Sequence, residues 1–465
     1  MRISIDRFFL VLLLLLFSSS EAWPQAKSNK SISISSKSRL CPTNTRRGDR
    51  EFGGHGPKVT ATARVSLQGK TKVVLRLFLH AIETKRDWTE TRGTWTYTVY
   101  TAPTGYKINR IISNPYSEAR YIDNDHGLDI TTQTSKPKIT GGNLVRRFEI
   151  MGDTGGKDIG NCTRDDVYMN VHFNSVKLEI QKLETIISRF DLTGDYPQQV
   201  VNKLSKEIRG TAHDQNHWFF TQDDMLWKIP VTLNLATMGK LTPASAKLID
   251  IPPYLQRKGY RRYGDLDYYK GHLFVALEGE GRAKNRPLVA IFNATNMKLI
   301  DTLSLKQGQR SIGWIAINPV NGYLYSSEPR TSTGVKRYRI TLSGDQVSLS
   351  FPSSYNVLNK FRRSVSLINI QSGSFSADGR YFFLVDSTGG NGQLWSFNHR
   401  TGKEMYKTIY RNGPMPKAVS HWNIGTKAPG MRGQLHLLML HPNTQEQDAY
   451  SLKHYTIREK LDWDN

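Results

Sequence analysis

The chain has 465 residues, 38% of them hydrophobic, which is enough for more than one core. Two cysteines in all exclude a disulfide-dense scaffold and a cysteine-based zinc centre. The formal charge of +24 leaves the fold open but turns the surface toward acidic partners such as acidic glycans, cell-wall polymers or nucleic acid.

Arg2 and Arg7 bracket a short polar start, and Phe8 to Phe17 is unbroken apolar sequence ending near the small residues Ser20 and Ala22. That order predicts a signal peptide over residues 1–22. The run is too short for a hydrocarbon core that needs about 20 apolar residues, so a released, extracellular chain is expected, or a periplasmic or cell-surface one in a bacterium. Residues 23–52 are basic and Ser-rich without apolar periodicity, and read as a flexible arm.

Residues 53–181 read as a β-sandwich or jelly-roll-like domain. Val59, Ala61, Ala63, Val65 and Leu67 alternate with polar residues, and Val73, Leu75, Leu77 and Leu79 do so again after Gly69-Lys70, the pattern of a hairpin with one buried face. Further strands are expected at Trp95–Val99, Tyr106–Ile112, Arg147–Met151 and Val167–Ile180. Cys41 and Cys162 are expected to pair in an oxidising compartment. Asp123, Asp125 and Asp129 stand at short spacing around Gly127 and offer oxygens to Ca2+, although Asp and Asn also build turns and no EF-hand spacing is present.

Residues 182–207 hold the only stretches with helical character and read as a linker. From 208 to 465 the sequence repeats. Short apolar strands recur around Phe219, Phe274, Leu324, Phe382 and Leu437, at steps of 50–58 residues. Lys270-Gly271, Asn321-Gly322, Asp378-Gly379 and Arg432-Gly433 precede the last four, and a further strand follows each, as in Gln393–Phe397. Strand, Gly turn, strand, loop, strand at this period predicts a five-bladed β-propeller, so the whole chain is expected to be all-β. Ile317–Tyr325 and Phe375–Tyr381 resemble the inner hairpins of bacterial-type propellers of the YVTN and lactonase-like kind, over about the C-terminal 270 residues by the repeat count. The resemblance carries structural motifs and no catalytic ones.

Residues just ahead of the Gly turns are the first candidates for a ligand site: His213, Asp214, Asp265, Asp267, Asn318, Ser374 and Ser376, with His421 and Asn423 in the last repeat. Asp265 and Asp267, two apart on one strand, share a face. With His213 they could hold a cation or divide acid and base roles in a lactonase- or glycosidase-like hydrolase; otherwise they solvate a wet channel. Lys258 to Tyr269 interleaves Arg261 and Arg262 with Tyr260, Tyr263, Tyr268 and Tyr269, a composition suited to stacking sugar rings and holding acidic groups, or to packing blades. Glu278 and Glu280 lie in a Gly-rich loop that lacks the Lys-Ser or Lys-Thr end of a phosphate loop. No nucleophile elbow and no His-Glu-x-x-His occurs. The expectation is a secreted binding protein for a glycan or other polyanion, with a propeller hydrolase as the alternative. Nucleic acid, which an exported protein seldom meets, is not the expected partner.

Overall fold

A computed structural model describes residues 185–462 apart from short loops (237–245, 306–308, 329–333, 388–390, 442–447) and some single positions, together with the strand backbones between 28 and 184 and, before 178, the side chains of 102 and 105–110. The chain divides into two compact units, residues 1–184 with 461–465 and residues 185–460.

The first unit contains two antiparallel sheets. One runs Ser28–Ser33, Lys58–Gln68, Lys72–Arg86, Arg164–Lys182 and Tyr106–Ser113, with Ala119–Asp123 also on Arg164–Lys182. The other runs Thr91–Thr101, Arg147–Asp158 and Leu128–Thr134, with Lys138–Thr140 also on Arg147–Asp158. The expected hairpin is present, with Gln68 opposite Lys72. Ser28–Ser33, within the segment read from sequence as an arm, pairs along Lys58–Gln68. Ser and Ile alternate through residues 31–35, and that period-2 pattern suits a strand. Residues 1–22, Cys41 and Cys162, and the side chains of Asp123, Asp125 and Asp129 lie outside the described residues.

The second unit is five antiparallel sheets in a ring. Blade 1 is Gly210–His213, His217–Gln222, Met225–Pro230 and Lys247–Asp250; blade 2 is Tyr260–Tyr269, His272–Gly279, Leu288–Asn293 and Leu299–Ser304. Blade 3 is Ala316–Ile317, Tyr323–Ser326 and Val335–Ser343, with Gln346–Leu349 and Ser353–Tyr355 both on its outer side. Blade 4 is Ile370–Phe375, Tyr381–Asp386, Gly392–Asn398 and Glu404–Tyr410. Blade 5 is Met415–His421, Leu435–His441 and Ala449–Leu461, and its outer strand is Thr185–Asp195 from the start of the unit. The first strands of successive blades neighbour one another, and that of blade 5 returns to blade 1. The ring is therefore closed, and the strand that closes it is the segment expected to be partly helical within the linker.

Five hydrophobic clusters, one per blade boundary, hold the ring. Trp218, Phe220 and Trp227 of blade 1 pack on Ala418, Leu438 and Leu452 of blade 5. Phe219 faces the other way, with Tyr263 and Leu273 of blade 2. Each second strand thus buries both faces. Phe274 joins Leu324 between blades 2 and 3, Tyr325 joins Phe382 between blades 3 and 4, and Phe383 joins Leu437 between blades 4 and 5. The residues equivalent to Phe219 and Phe274 are consequently Tyr325, Phe383 and Leu438, one position beyond those the repeat count aligned. A strand apolar on both faces carries no period-2 signal to fix its register, and the turns differ in length. In blade 2 the turn is two residues, Lys270 at φ 47° and Gly271 at φ 83°, which is the twist a tight hairpin requires.

Candidate functional site

Antiparallel pairing places the Gly turns at one end of the ring. The starts of the inner strands and the ends of the second strands lie at the other. The polar residues expected to line a ligand site at the turn end are largely consumed in building it. Asp214 Oδ1 accepts from the backbone of Asn216 and His217, both at 2.7 Å, and Oδ2 meets His217 Nδ1 at 3.1 Å. Asn318 Oδ1 accepts from Val320 and its Nδ2 donates to Gly379 O, joining two blades. Ser376 Oγ donates to Asp378 and accepts from Tyr381 N–H. These are side-chain-capped turns of the kind Asp, Asn and Ser favour. Asn423 is exposed.

Asp265 and Asp267 lie on the inner strand of blade 2. Asp265, 1% exposed, accepts from Ser372 Oγ at 3.0 Å and Gly373 N–H at 3.2 Å in blade 4, and from Ile315 N–H of blade 3 at 3.4 Å. Blades 2 and 4 are not ring neighbours, so this carboxyl spans the axis. Ser372 Oγ in turn accepts from Val419 N–H of blade 5 at 3.2 Å, so four inner strands share one hydrogen-bonded clasp. Asp267 accepts from Ile317 N–H at 2.6 Å and Tyr268 N–H at 2.7 Å. Burial raises the Asp265 carboxyl well above the usual range against the donors that bond it, and raises Asp267 to about 7.

His213 belongs to a different group. Its ring stacks on Trp422 with centroids 4.2 Å apart, and its nitrogens face Asp214 O at 3.1 Å and His421 O at 3.0 Å. Burial lowers its pKa first, and the two carbonyls offset part of that. Among the described residues no hydrogen bond or ion pair joins His213 to Asp265 or Asp267, and no three His, Cys, Asp or Glu side chains form a cluster that could hold a metal.

The opposite end carries a charged constellation drawn from blades 1, 2 and 5. Arg209, immediately before the first inner strand, places Nη1 at 3.2 and 3.3 Å from the two Glu278 oxygens and Nη2 at 3.4 Å from Glu207. Arg262 stands opposite Glu278 in the ladder, its Nε 3.1 Å from Asp223 and 3.9 Å from Glu280. Asp448 Oδ2 accepts from Glu207 N–H at 3.4 Å. Lys417 sits at a bulge in the inner strand of blade 5, between the paired Pro416 and Ala418. Burial lowers its pKa, with Arg209 adding to that and Asp448, Glu207 and Glu278 opposing. Burial raises Glu278, which Arg209 and Arg262 counter; it also raises Asp223, with Glu207 adding. Arg209 Nε is buried with no partner, and Lys417 Nζ makes no hydrogen bond or ion pair, among the described residues.

Of the residues singled out from sequence as ligand-binding, Arg262, Glu278 and Glu280 meet here. Arg261 is exposed. Of the tyrosines offered as sugar-stacking or blade-packing rings, Tyr260, Tyr263 and Tyr269 are buried between blades. Tyr263 donates its hydroxyl to Asp250 O, and partly buried Tyr268 stacks on Phe219 with centroids 6.5 Å apart. Glu207, Arg209, Asp223, Lys417 and Asp448 went unnoticed in the sequence, where no local pattern joins positions so far apart.

Comparison with known proteins adds little chemistry. The family described as "Domain of unknown function (DUF8251)" matches residues 37–178, within the first unit. No curated protein matches the chain. Among solved structures, a chain of the nidogen/laminin complex is similar at 12% identity and TM-score 0.30, covering 49% of this chain and 70% of that one. The Dos1 propeller is similar at 11% identity and TM-score 0.29, covering 54% and 70%. TolB from Acinetobacter baumannii is similar at 11% identity and TM-score 0.30, covering 55% and 56%. The propeller assignment rests on the sheets of this chain. No helix among the described residues is long and apolar enough to cross a membrane.

Proposed function

We propose that the protein is an exported binding protein whose propeller recognises an acidic glycan at the end of the ring where the inner strands begin. One observation carries the reading. Lys417 Nζ there has no hydrogen bond or ion pair among the described residues, and it stands beside Arg209, whose Nη1 and Nη2 face Glu278 and Glu207, in a group of carboxylates that also holds Asp223 and Glu280. A carboxylate or sulfate on a sugar would take the two cations, and neighbouring hydroxyls would donate to the carboxylates. A purely anionic polymer such as nucleic acid fits less well, because the acidic side chains would repel a uniform row of phosphates. The net charge of +24 would draw such a ligand in from a distance.

Asp265 and Asp267 support this reading more than the hydrolase one, since their oxygens already accept from backbone and Ser372 donors. An array of neutral, uronic-acid and sulfated glycans tests the proposal. Binding confined to acidic glycans and weakening with salt is expected; equal binding to neutral glycans, or none, contradicts it. Turnover of a lactone or glycoside that disappears in Asp265→Asn would favour the enzyme.

A further inference from the structure

Lys360, Phe361, Arg362, Arg363 and Ser364 are consecutive and all exposed, and Phe361, at 70%, is the most exposed large apolar side chain among the described residues. A phenyl ring left in water costs free energy, and here hydrogen bonds around Asn359 define the loop that carries it. Asn359 N–H donates to Arg363 O at 2.8 Å, Arg362 N–H donates to Asn359 O at 2.9 Å, and Asn359 Oδ1 accepts from Phe361 and Arg363 at 2.9 and 3.0 Å. Arg362 holds φ 62°, the left-handed turn that closes this small ring. Its base is fixed to blade 4: Leu358 N–H donates to Gly402 O at 2.8 Å, and Leu358 O accepts from Glu404 N–H at 2.7 Å. Lys360 Nζ lies 5.1 Å from the Phe361 ring centroid. Ile368, 46% exposed, follows a few residues later.

We infer that this loop is a docking element for an anionic bilayer surface. A single exposed ring on a hydrogen-bonded loop suits a deformable medium that closes around it, whereas a glycan or a protein groove would have to be pre-shaped to do so. Lys360 at the ring and exposed Arg363 two residues on match the headgroups of acidic lipids, while Phe361 reaches the boundary between headgroups and acyl chains. The element is distinct from the Arg209 and Lys417 site, and neither claim depends on the other.

The test is co-sedimentation of the full-length mature protein with vesicles of phosphatidylcholine alone or with about one-third phosphatidylglycerol, at low and physiological salt. Binding to the anionic vesicles is expected, reduced by salt. Phe361→Ser should weaken it about tenfold, from the free energy of burying a Phe. Lys360→Glu and Arg363→Glu should each weaken it about fivefold or more, the factor equivalent to the ~1 kcal/mol of a basic residue near an anionic surface. All three positions are exposed, and an unchanged melting temperature confirms that each variant is folded. Wild-type protein that ignores anionic vesicles at low salt overturns the inference. So does Phe361→Ser binding like wild type, which would mean general charge attraction only. Binding to a sulfated polysaccharide but not to vesicles, lost in the two charge reversals, would assign the loop to a polyanion instead.

Discussion

Replacing Asp265 by Ala removes an acceptor shared by three donors from two other blades, Ser372 Oγ–H, Gly373 N–H and Ile315 N–H. Each donor is buried, and a buried donor without a partner costs about 1–3 kcal/mol. Relief from burying a carboxyl offsets part of this, so the net loss is about 3–6 kcal/mol. At ~2–4 °C per kcal/mol for a unit of this size, the melting temperature should fall by about 6–24 °C. Asp265→Asn has a milder outcome. Its amide oxygen can serve the two backbone donors while its nitrogen turns to Ser372 Oγ, which can accept, and the loss should stay within about 1–2 kcal/mol. Thermal unfolding followed by circular dichroism, at a pH near neutrality, separates the two. A melting temperature for Asp265→Ala within about 3 °C of wild type would refute the clasp.

Protonation gives a second handle. Burial lowers His213, His436 and His454, and lowers His421 to about 4. Below about pH 6.5 the unfolded chain takes up protons that these buried rings refuse, so their stabilising contribution is present above that pH and is lost as pH falls toward 4. Nδ1 of His421 has no partner among the described residues and the ring stacks on Phe383 with centroids 5.9 Å apart, so His421→Phe should be nearly neutral at pH 8 and stabilise by about 2 kcal/mol at pH 5. A gain that does not grow on acidification, measured by urea unfolding at the two pH values, would show the ring is not the proton acceptor. Asp267, raised to about 7, titrates in the opposite sense: its contribution is full below about pH 3.9 and is lost as pH rises through 7. Gly402→Ala should cost about 2–4 kcal/mol, because φ is +69° and the added Cβ would lie 2.1 Å from Asn356 O. An unaltered denaturation midpoint would mean the loop has room to shift.

The hairpins were legible because the sequence marks them twice, with an apolar strand and with a Gly that must adopt positive φ: Gly271, Gly322, Gly379 and Gly433 all do. The closing strand was not legible. Residues 185–195 make sense as a strand only beside Ala449–Leu461, some 260 positions on by the sheet order. The tyrosines of Lys258–Tyr269 were hard to place for a local reason. Bulges between Tyr260 and Arg262 and between Tyr263 and Leu266 turn Tyr260, Tyr263 and Leu266 into one interblade core, a spacing of three that strict alternation forbids. Asp265 and Asp267 were found as inner-strand carboxylates, but their partners at Ile315, Ile317, Ser372 and Gly373 come from blades whose alignment only the ring supplies. Arg262 and Glu278 are cross-strand neighbours and could be paired from the hairpin alone, whereas Arg209 and Lys417 could not.

The central claim places binding at the charged end of the ring and not at the Gly turns. The direct measurement is the dissociation constant of whichever acidic glycan the array selects, compared across Arg209→Ala, Lys417→Ala and a turn-end control, Arg380→Ala. Arg380 is exposed and pairs with Asp378 and Glu459, so the control removes a comparable surface charge. The account predicts at least about tenfold weaker binding for each of the first two variants, the loss of one charge-assisted hydrogen bond, and a change under twofold for the control. Equal weakening by all three would mean diffuse charge attraction, and loss only in Arg380→Ala would move the site to the opposite end.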